Sequence, residues 1–179
     1  MHHRLTLRDA TPAAAESIAA LYNAAIQAGE AMRDGQPRTT DDFRRVLTGL
    51  GPRETCLLLE DAPDGSGQAP AVVGWGVVRR YSDRPGYRFC GETFVYVRPD
   101  LRRRGYGTRL QQALVERCKA FGDHHLLGRV WGSNAASLAF HEASGYDVVG
   151  VQRDIGYLDG RWEDLVVLQR VLEDVETGE

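Results

Sequence analysis

The period of the apolar residues changes within residues 95–118, "VYVRPDLRRRGYGTRLQQALVERC". Val95-Tyr96-Val97 alternates as a strand does, with neighbouring side chains on opposite faces. Beyond Pro99, residues Tyr106, Leu110, Ala113, Leu114 and Phe121 recur at helical spacing, which predicts a helix from about Arg103 to Phe121. The chain must therefore run a strand into a helix. It does so through three consecutive arginines, Arg102–Arg104, and two glycines, Gly105 and Gly107.

A helix N-terminus leaves its first backbone N–H groups unpaired and carries partial positive charge. Glycines there let a ligand approach the backbone where a side chain would stand in the way. The junction can hold a phosphate, with Arg102–Arg104 adding charge. A solvated basic turn is the alternative, because Gly-x-Gly alone is a weak signal. The arginines are a local feature, since 22 Lys and Arg face 25 Asp and Glu for a net charge of −3. That balance supplies no general field for nucleic acid or an anionic membrane. Two other phosphate loops fail at named positions. A dinucleotide fingerprint wants a third glycine where Leu110 stands, and the Gly-Lys-Ser/Thr of a Walker loop is absent.

The remaining segments supply the frame. "LTLRDA" reads as a first strand, and residues 12–29 as a helix behind Thr11-Pro12, with Ile18, Leu21, Tyr22, Ala25 and Ile26 on one side. A short helix starts near Thr40, with Phe43, Val46 and Leu47 inward. "TCLLLE" and "AVVGWGVVRRY" flank the Gly-rich "DAPDGSGQAP" as a hairpin. "HHLLGRVWG" is a strand, and "NAASLAFHEASGY" is a helix begun by Asn134 and ended by Gly145. Two closing strands meet at the Asp-Gly turn of "LDGR". The whole, residues 1–179, reads as one α+β domain around a single sheet, with 171–179 a frayed acidic tail. No apolar run reaches membrane-spanning length and the N-terminus has no hydrophobic signal core, so the expected location is cytoplasmic. Cys56, Cys90 and Cys118 are odd in number and widely spaced, and read as reduced thiols. No metal site is expected, at His124-His125 or elsewhere.

From Glu92 to Arg170 the order and spacing of several motifs agree with one family. "ETFVYV" is followed by Arg-x-x-Gly-x-Gly at 102–107, then by Asn-x-x-Ser-x-x-x-His-Glu at 134–142 and Gly-Arg-Trp-x-Asp at 160–164. This resembles the GNAT superfamily of N-acetyltransferases, and within it the phosphinothricin and methionine sulfoximine N-acetyltransferases. The resemblance implies a single mixed, mostly antiparallel sheet of about seven strands flanked by about four helices. It implies acetyl-CoA as co-substrate, and no metal. Backbone groups of Val95, Tyr96 and Val97 would bind the acetyl and pantetheine arm. Arg102, Arg103, Arg104, Gly105, Tyr106, Gly107 and Thr108 would hold the pyrophosphate. Asn134 would contact the pantetheine, with Ser137 one turn on along the same helix.

Acetyl transfer to an amine needs a deprotonated nucleophile, a polarised thioester carbonyl and a proton for the leaving thiolate. By resemblance Glu92 is the general base, acting directly or through water; the alternative is a solvent-facing acid at a strand start. The Val95 N–H would meet the thioester oxygen if its strand parts from a neighbour. His141 stands where many GNAT enzymes carry a tyrosine that protonates the sulfur, and a packed helical histidine is the other reading. A metalloprotease reading of His141-Glu142 fails because Gly145 occupies the second histidine's place. Arg80, Tyr81 and Tyr87 are where an amino-acid carboxylate would sit. Tyr157 and Trp162 are further pocket candidates, while Trp75, inside a strand, reads as core. Ala28–Arg33 replace a small-hydroxyl and aromatic signature of the family, and Cys90 replaces a threonine. The acceptor therefore stays open among phosphinothricin, methionine sulfoximine, another small amine and a peptide N-terminus. A non-catalytic acyl-CoA-binding domain would keep the cradle without needing Glu92. The Val- and Leu-rich hairpin 147–170 leaves a strand edge for a second copy, and the resemblance likewise implies a homodimer.

Overall fold

Alternating apolar residues build seven strands: β1 (His3–Asp9), β2 (Thr55–Pro63), β3 (Ala71–Arg80), β4 (Cys90–Val97), β5 (His125–Trp131), β6 (Asp147–Leu158) and β7 (Arg161–Val171). Four helices accompany them: α1 (Ala15–Gln27), α2 (Thr40–Thr48), α3 (Tyr106–Ala120) and α4 (Ala135–Ala143). The structure is a computed structural model and describes residues 3–28, 36–63, 70–173 and 175. The strands form one sheet in the order β1-β2-β3-β4-β5-β7-β6. Every neighbouring pair is antiparallel except β4–β5. This is the mixed, mostly antiparallel sheet expected.

Strand alternation gives the sheet two apolar faces, and each is covered. Leu110, Leu114 and Cys118 form an i, i+4, i+8 stripe on α3, each fully buried on the face with Leu126, Val130 and Tyr146. On the other face Ile18 and Tyr22 of α1 and Phe43 of α2 pack with Trp75 and Tyr96. Trp75 sits between Phe43 and Phe94, ring centroids 5.8 and 5.0 Å away, in agreement with a core role.

Several boundaries differ from the sequence reading. The first helix opens with a tight 3-10 turn at Pro12–Ala14 and ends at Gln27. The third begins at Tyr106 rather than near Arg103, because Arg103 (φ 60°) and Gly105 (φ 80°) are left-handed and cannot continue a right-handed helix. Within the segment expected as tail, residues 171 and 172 still belong to the fold and Val175 packs against the core. Val171 ends β7, Leu172 is buried, and its N–H donates to the His124 carbonyl at 2.8 Å. Of the departures at 28–33, residues 29–33 lie outside the described residues, as do His2, 174 and 176–179. The "LDGR" turn is as expected, with positive φ at Asp159 and Gly160 matching a tight hairpin. Cys56 and Cys118 are buried, Cys90 is partly so, and none is paired.

Candidate active site

The sheet divides just after Glu92. β4 follows β3 from Gly91↔Arg80 to Val97↔Gly74. With β5 it pairs only at Cys90, Gly91 and Glu92, opposite His125, Leu126 and Leu127, while β5 stays with β7 along its whole length. The Arg98 N–H donates to the Val73 carbonyl and the Tyr81 N–H to that of Cys90, each at 3.0 Å. Even-numbered residues of β4 thus turn their backbone groups to β3. Thr93, Val95 and Val97 turn theirs into the fork, as the reading of Val95 required.

A buried hydrogen-bond chain stands at the apex. The Thr93 hydroxyl donates to the Leu127 carbonyl at 3.3 Å, one step past the last backbone pair. Gln111 Nε2 donates to the Tyr146 hydroxyl at 2.8 Å, and that hydroxyl meets Thr93 Oγ1 at 2.7 Å. With the Thr93 proton used on Leu127, Tyr146 is the donor to Thr93. Burial pushes the Tyr146 phenol up to about 12, so it keeps its proton.

The fork opens into a cavity of about 600 Å³. Val95, Tyr96, Val97, Arg102, Arg103, Gly105, Gly107, Thr108, Asn134, Ser137 and His141 all line it. At one end, α3 begins on the left-handed Gly105, and its first intrahelical bond runs from Arg109 N–H to the Gly105 carbonyl. The N–H groups of Tyr106, Gly107 and Thr108 precede that bond, so they are available to an anion. An ideal Cβ at Gly107 would lie 3.2 Å from the Phe140 ring, so a bare backbone is what lets α3 approach α4 here. Arg102 donates Nε to the Val97 carbonyl at 3.0 Å, tying the cradle to the strand. Tyr106 is corrected in one respect: its ring is buried in the core, leaving its backbone to the cradle. Arg104 does not line the cavity.

Asn134 caps α4, its Oδ1 accepting from the Ser137 N–H at 3.0 Å, which leaves its Nδ2 for a ligand. His141 is buried edge-on between Phe140 and Tyr146. Its Nδ1 lies 2.8 Å from the Ser137 carbonyl, an acceptor only, so Nδ1 carries the proton. Burial pulls the imidazole below its ordinary value, the Ser137 contact opposing. A neutral ring in this tautomer has no proton on Nε2 to give. The geometry matches the packed histidine better than the acid.

Glu92 stands at the apex, its side chain 14% exposed, with both oxygens on Arg129 of β5: Nε to Oε1 at 2.9 Å, and Nη2 to Oε2. The hydrogen bonds that Arg129 donates to Glu92 raise its guanidinium, burial opposes, and the Glu92 charge adds to the rise. Tyr81 and Tyr87 pack edge-on with centroids 5.3 Å apart, each 45% exposed, and Arg80 pairs with Asp83. None of these three lines the cavity. Tyr157 and Trp162 meet edge-on at 5.0 Å on the exposed last hairpin and do not line it.

The Acetyltransferase (GNAT) family model matches residues 18–146. The chain belongs to the GNAT family of acetyltransferases. It is 32% identical to an L-methionine sulfoximine/L-methionine sulfone acetyltransferase of Pseudomonas aeruginosa, over 97% of this chain and 98% of that protein. It is 36% identical to a phosphinothricin N-acetyltransferase of Alcaligenes faecalis, over 59% and 54% of the two chains. A GNAT superfamily phosphinothricin acetyltransferase from Sinorhizobium meliloti, solved in complex with acetyl-CoA, superposes with a TM-score of 0.84 at 28% identity, over 98% of this chain and 92% of that one. Acetyl-CoA suits the residues present in this GNAT chain. The helix terminus with Arg102–Arg103 can hold its diphosphate, and the forked backbone can take a thioester arm.

Arg129, Trp131, Ser133, Phe140 and Arg161 also line the cavity and were missed in the sequence. Arg129 had a signal: a charge in an otherwise apolar inner strand, "LLGRVW". Ser137 and Phe140 are i, i+3 neighbours on α4 and Ser133 directly precedes its cap, so Asn134 and Ser137 already implied that face. Arg161 stood in the Gly-Arg-Trp-x-Asp motif, but nothing local in that motif brings β7 to the cavity.

Proposed function

We propose that this GNAT enzyme transfers the acetyl group of acetyl-CoA to the amine of a small amino acid, L-methionine sulfone or sulfoximine first and phosphinothricin next. The observation that carries the reading is the fork opened at Glu92, one strand away from an anion cradle. Acetyl-CoA supplies an activated acyl group as its thioester. The first-turn N–H groups of α3, with Arg102 and Arg103, hold the diphosphate, and Asn134 Nδ2 donates to the pantetheine arm. The Val95 N–H, turned into the fork, donates to the carbonyl oxygen. Glu92, ionised in its ion pair, takes the proton of the acceptor's ammonium directly or through water. His141 is assigned to packing α4 on β5, and the departing thiolate takes the second proton of the attacking nitrogen, directly or through solvent. No step given to these residues uses a metal. The exposed aromatic pair Tyr81–Tyr87, with Arg80, borders the acceptor side.

We also infer a homodimer built on the β6 edge. Unpaired cysteines, two of them buried, fit a reducing compartment, and the cytoplasm is the location we assign. Among the described residues no helix is long and apolar enough to cross a membrane.

The test is an acceptor screen with acetyl-CoA, reading free thiol. L-Methionine sulfone, L-methionine sulfoximine, phosphinothricin, ordinary amino acids and a short peptide are offered in turn. Thiol release with the amino-acid analogues above that with the peptide is expected. Tight acetyl-CoA binding without release from any acceptor would instead mark an acyl-CoA-binding domain.

A further inference from the structure

We infer that Arg129 anchors the carboxylate of the acceptor amino acid beside Glu92, one guanidinium ordering both base and substrate. This rests on the amino-acid acceptor proposed above. Arg129 lies two residues past Leu127, the last β5 partner of β4, so it stands on the far arm of the fork and on the same face of β5 as Leu127. From there its side chain reaches back across the mouth to Glu92. Nε and Nη2 are engaged there, while Nη1 has no hydrogen-bond partner among the described residues. A guanidinium has five donors in a planar fork, so a second carboxylate can be received on the remaining edge. Arg129 also lines the cavity, its side chain 39% exposed.

The other arginines of the cavity stand on other elements. Arg102 is tied to the Val97 carbonyl, and Arg103 stands with it in the loop before α3. Arg161 is paired with Glu163 and is 68% exposed. Position favours Arg129 as well. The amine and carboxylate of an α-amino acid share one carbon, so the carboxylate's anchor must stand next to the base that receives the amine's proton. Arg129 touches Glu92 directly.

Charge makes the same selection. Arg129 and Glu92 carry opposite charges side by side, and so do the two ends of an amino acid. Laid alongside, carboxylate meets guanidinium and ammonium meets carboxylate. A simple amine offers nothing to the remaining edge of Arg129. The pair thus selects amino acids over amines of the same side chain.

The test compares L-methionine sulfone with methylsulfonylpropylamine, the same molecule without its carboxylate, in wild type, Arg129→Ala and Arg129→Lys. The wild type should prefer the amino acid. Arg129→Ala should raise its KM at least tenfold and abolish the preference, with the KM for acetyl-CoA unchanged, and Arg129→Lys should recover part of it. Equal losses on both acceptors, or an unchanged KM for the sulfone, would overturn the anchor and leave Arg129 as a brace for Glu92. If the alanine variant does not fold, Arg129→Gln, of similar polarity, takes its place with the same two outcomes. A wild type that acetylates no amino acid would overturn the proposed acceptor class first, and the anchor with it. That failure is visible before any variant is made.

Discussion

A carboxylate acts as a base only while ionised, and Glu92 meets the Arg129 guanidinium through both its oxygens. Glu92→Gln preserves shape and removes basicity. It should lower kcat by roughly a hundredfold or more, the usual range for a lost general base. Acetyl-CoA affinity should hardly change, because the cradle proposed for its diphosphate is at residues 102–108; thiol release and calorimetry measure the two separately. His141 makes a different prediction. Its imidazole is depressed by burial, so the unfolded chain binds a proton at a pH where the folded chain does not. The contribution is fully present above the unfolded value, about 6.5, and is lost as pH falls from there toward the folded value. The wild type should therefore melt at lower temperature on acidification through this window. His141→Asn, which keeps a donor for the Ser137 carbonyl, should lessen that slope. His125 is depressed too, by burial and then by His124, so the difference between the two proteins is the quantity to read.

At the scale of elements, the start of α3 and the apex of the fork are each held by contacts with a measurable cost. Gly107→Val would drive a branched side chain toward Phe140, whose ring lies 3.2 Å from an ideal Cβ. Both residues line the cavity, so acetyl-CoA should bind about tenfold more weakly, about 1.4 kcal/mol, with the far-ultraviolet spectrum unchanged. At the apex, Tyr146→Phe removes the hydroxyl between Thr93 and Gln111, both buried. Leaving them short of a partner should cost about 1–3 kcal/mol in urea unfolding. These elements were legible in different degrees. The period change and the glycines announced strand, loop and helix, but the helix starts three residues later than the apolar pattern implied. The left-handed Arg103 is the reason, since nothing in an arginine's side chain forecasts positive φ.

For the whole molecule, the edge of the sheet sets the expectation. β6 is the last strand, and Val148, Val149, Val151, Ile155 and Tyr157 along it are each about half exposed or more, with Trp162 beside them. Apolar residues on both faces of an open edge favour association, and a second copy would cover them in a closed pair. Light scattering at micromolar concentration should give twice the chain mass. Val149→Lys with Val151→Lys should return it to the chain mass without loss of fold, because neither side chain is in the core.

Composition, period and motif order determined the class of this chain by themselves. Local rules govern strands, helices and caps, and Arg-x-x-Gly-x-Gly and the Asn134 helix are local patterns. Those patterns sufficed for one sheet and the family. What only the tertiary structure decided is which residues meet across strands. The Glu92–Arg129 pair joins residues on parallel strands separated by α3, and a pair of that kind has no period to betray it. The same holds for Thr93, Gln111 and Tyr146, whose hydroxyls and amide converge from a strand, a helix and the start of β6. The His141 proton is likewise a matter of packing: burial and the Ser137 carbonyl place it on Nδ1, and neither can be read from the order of residues.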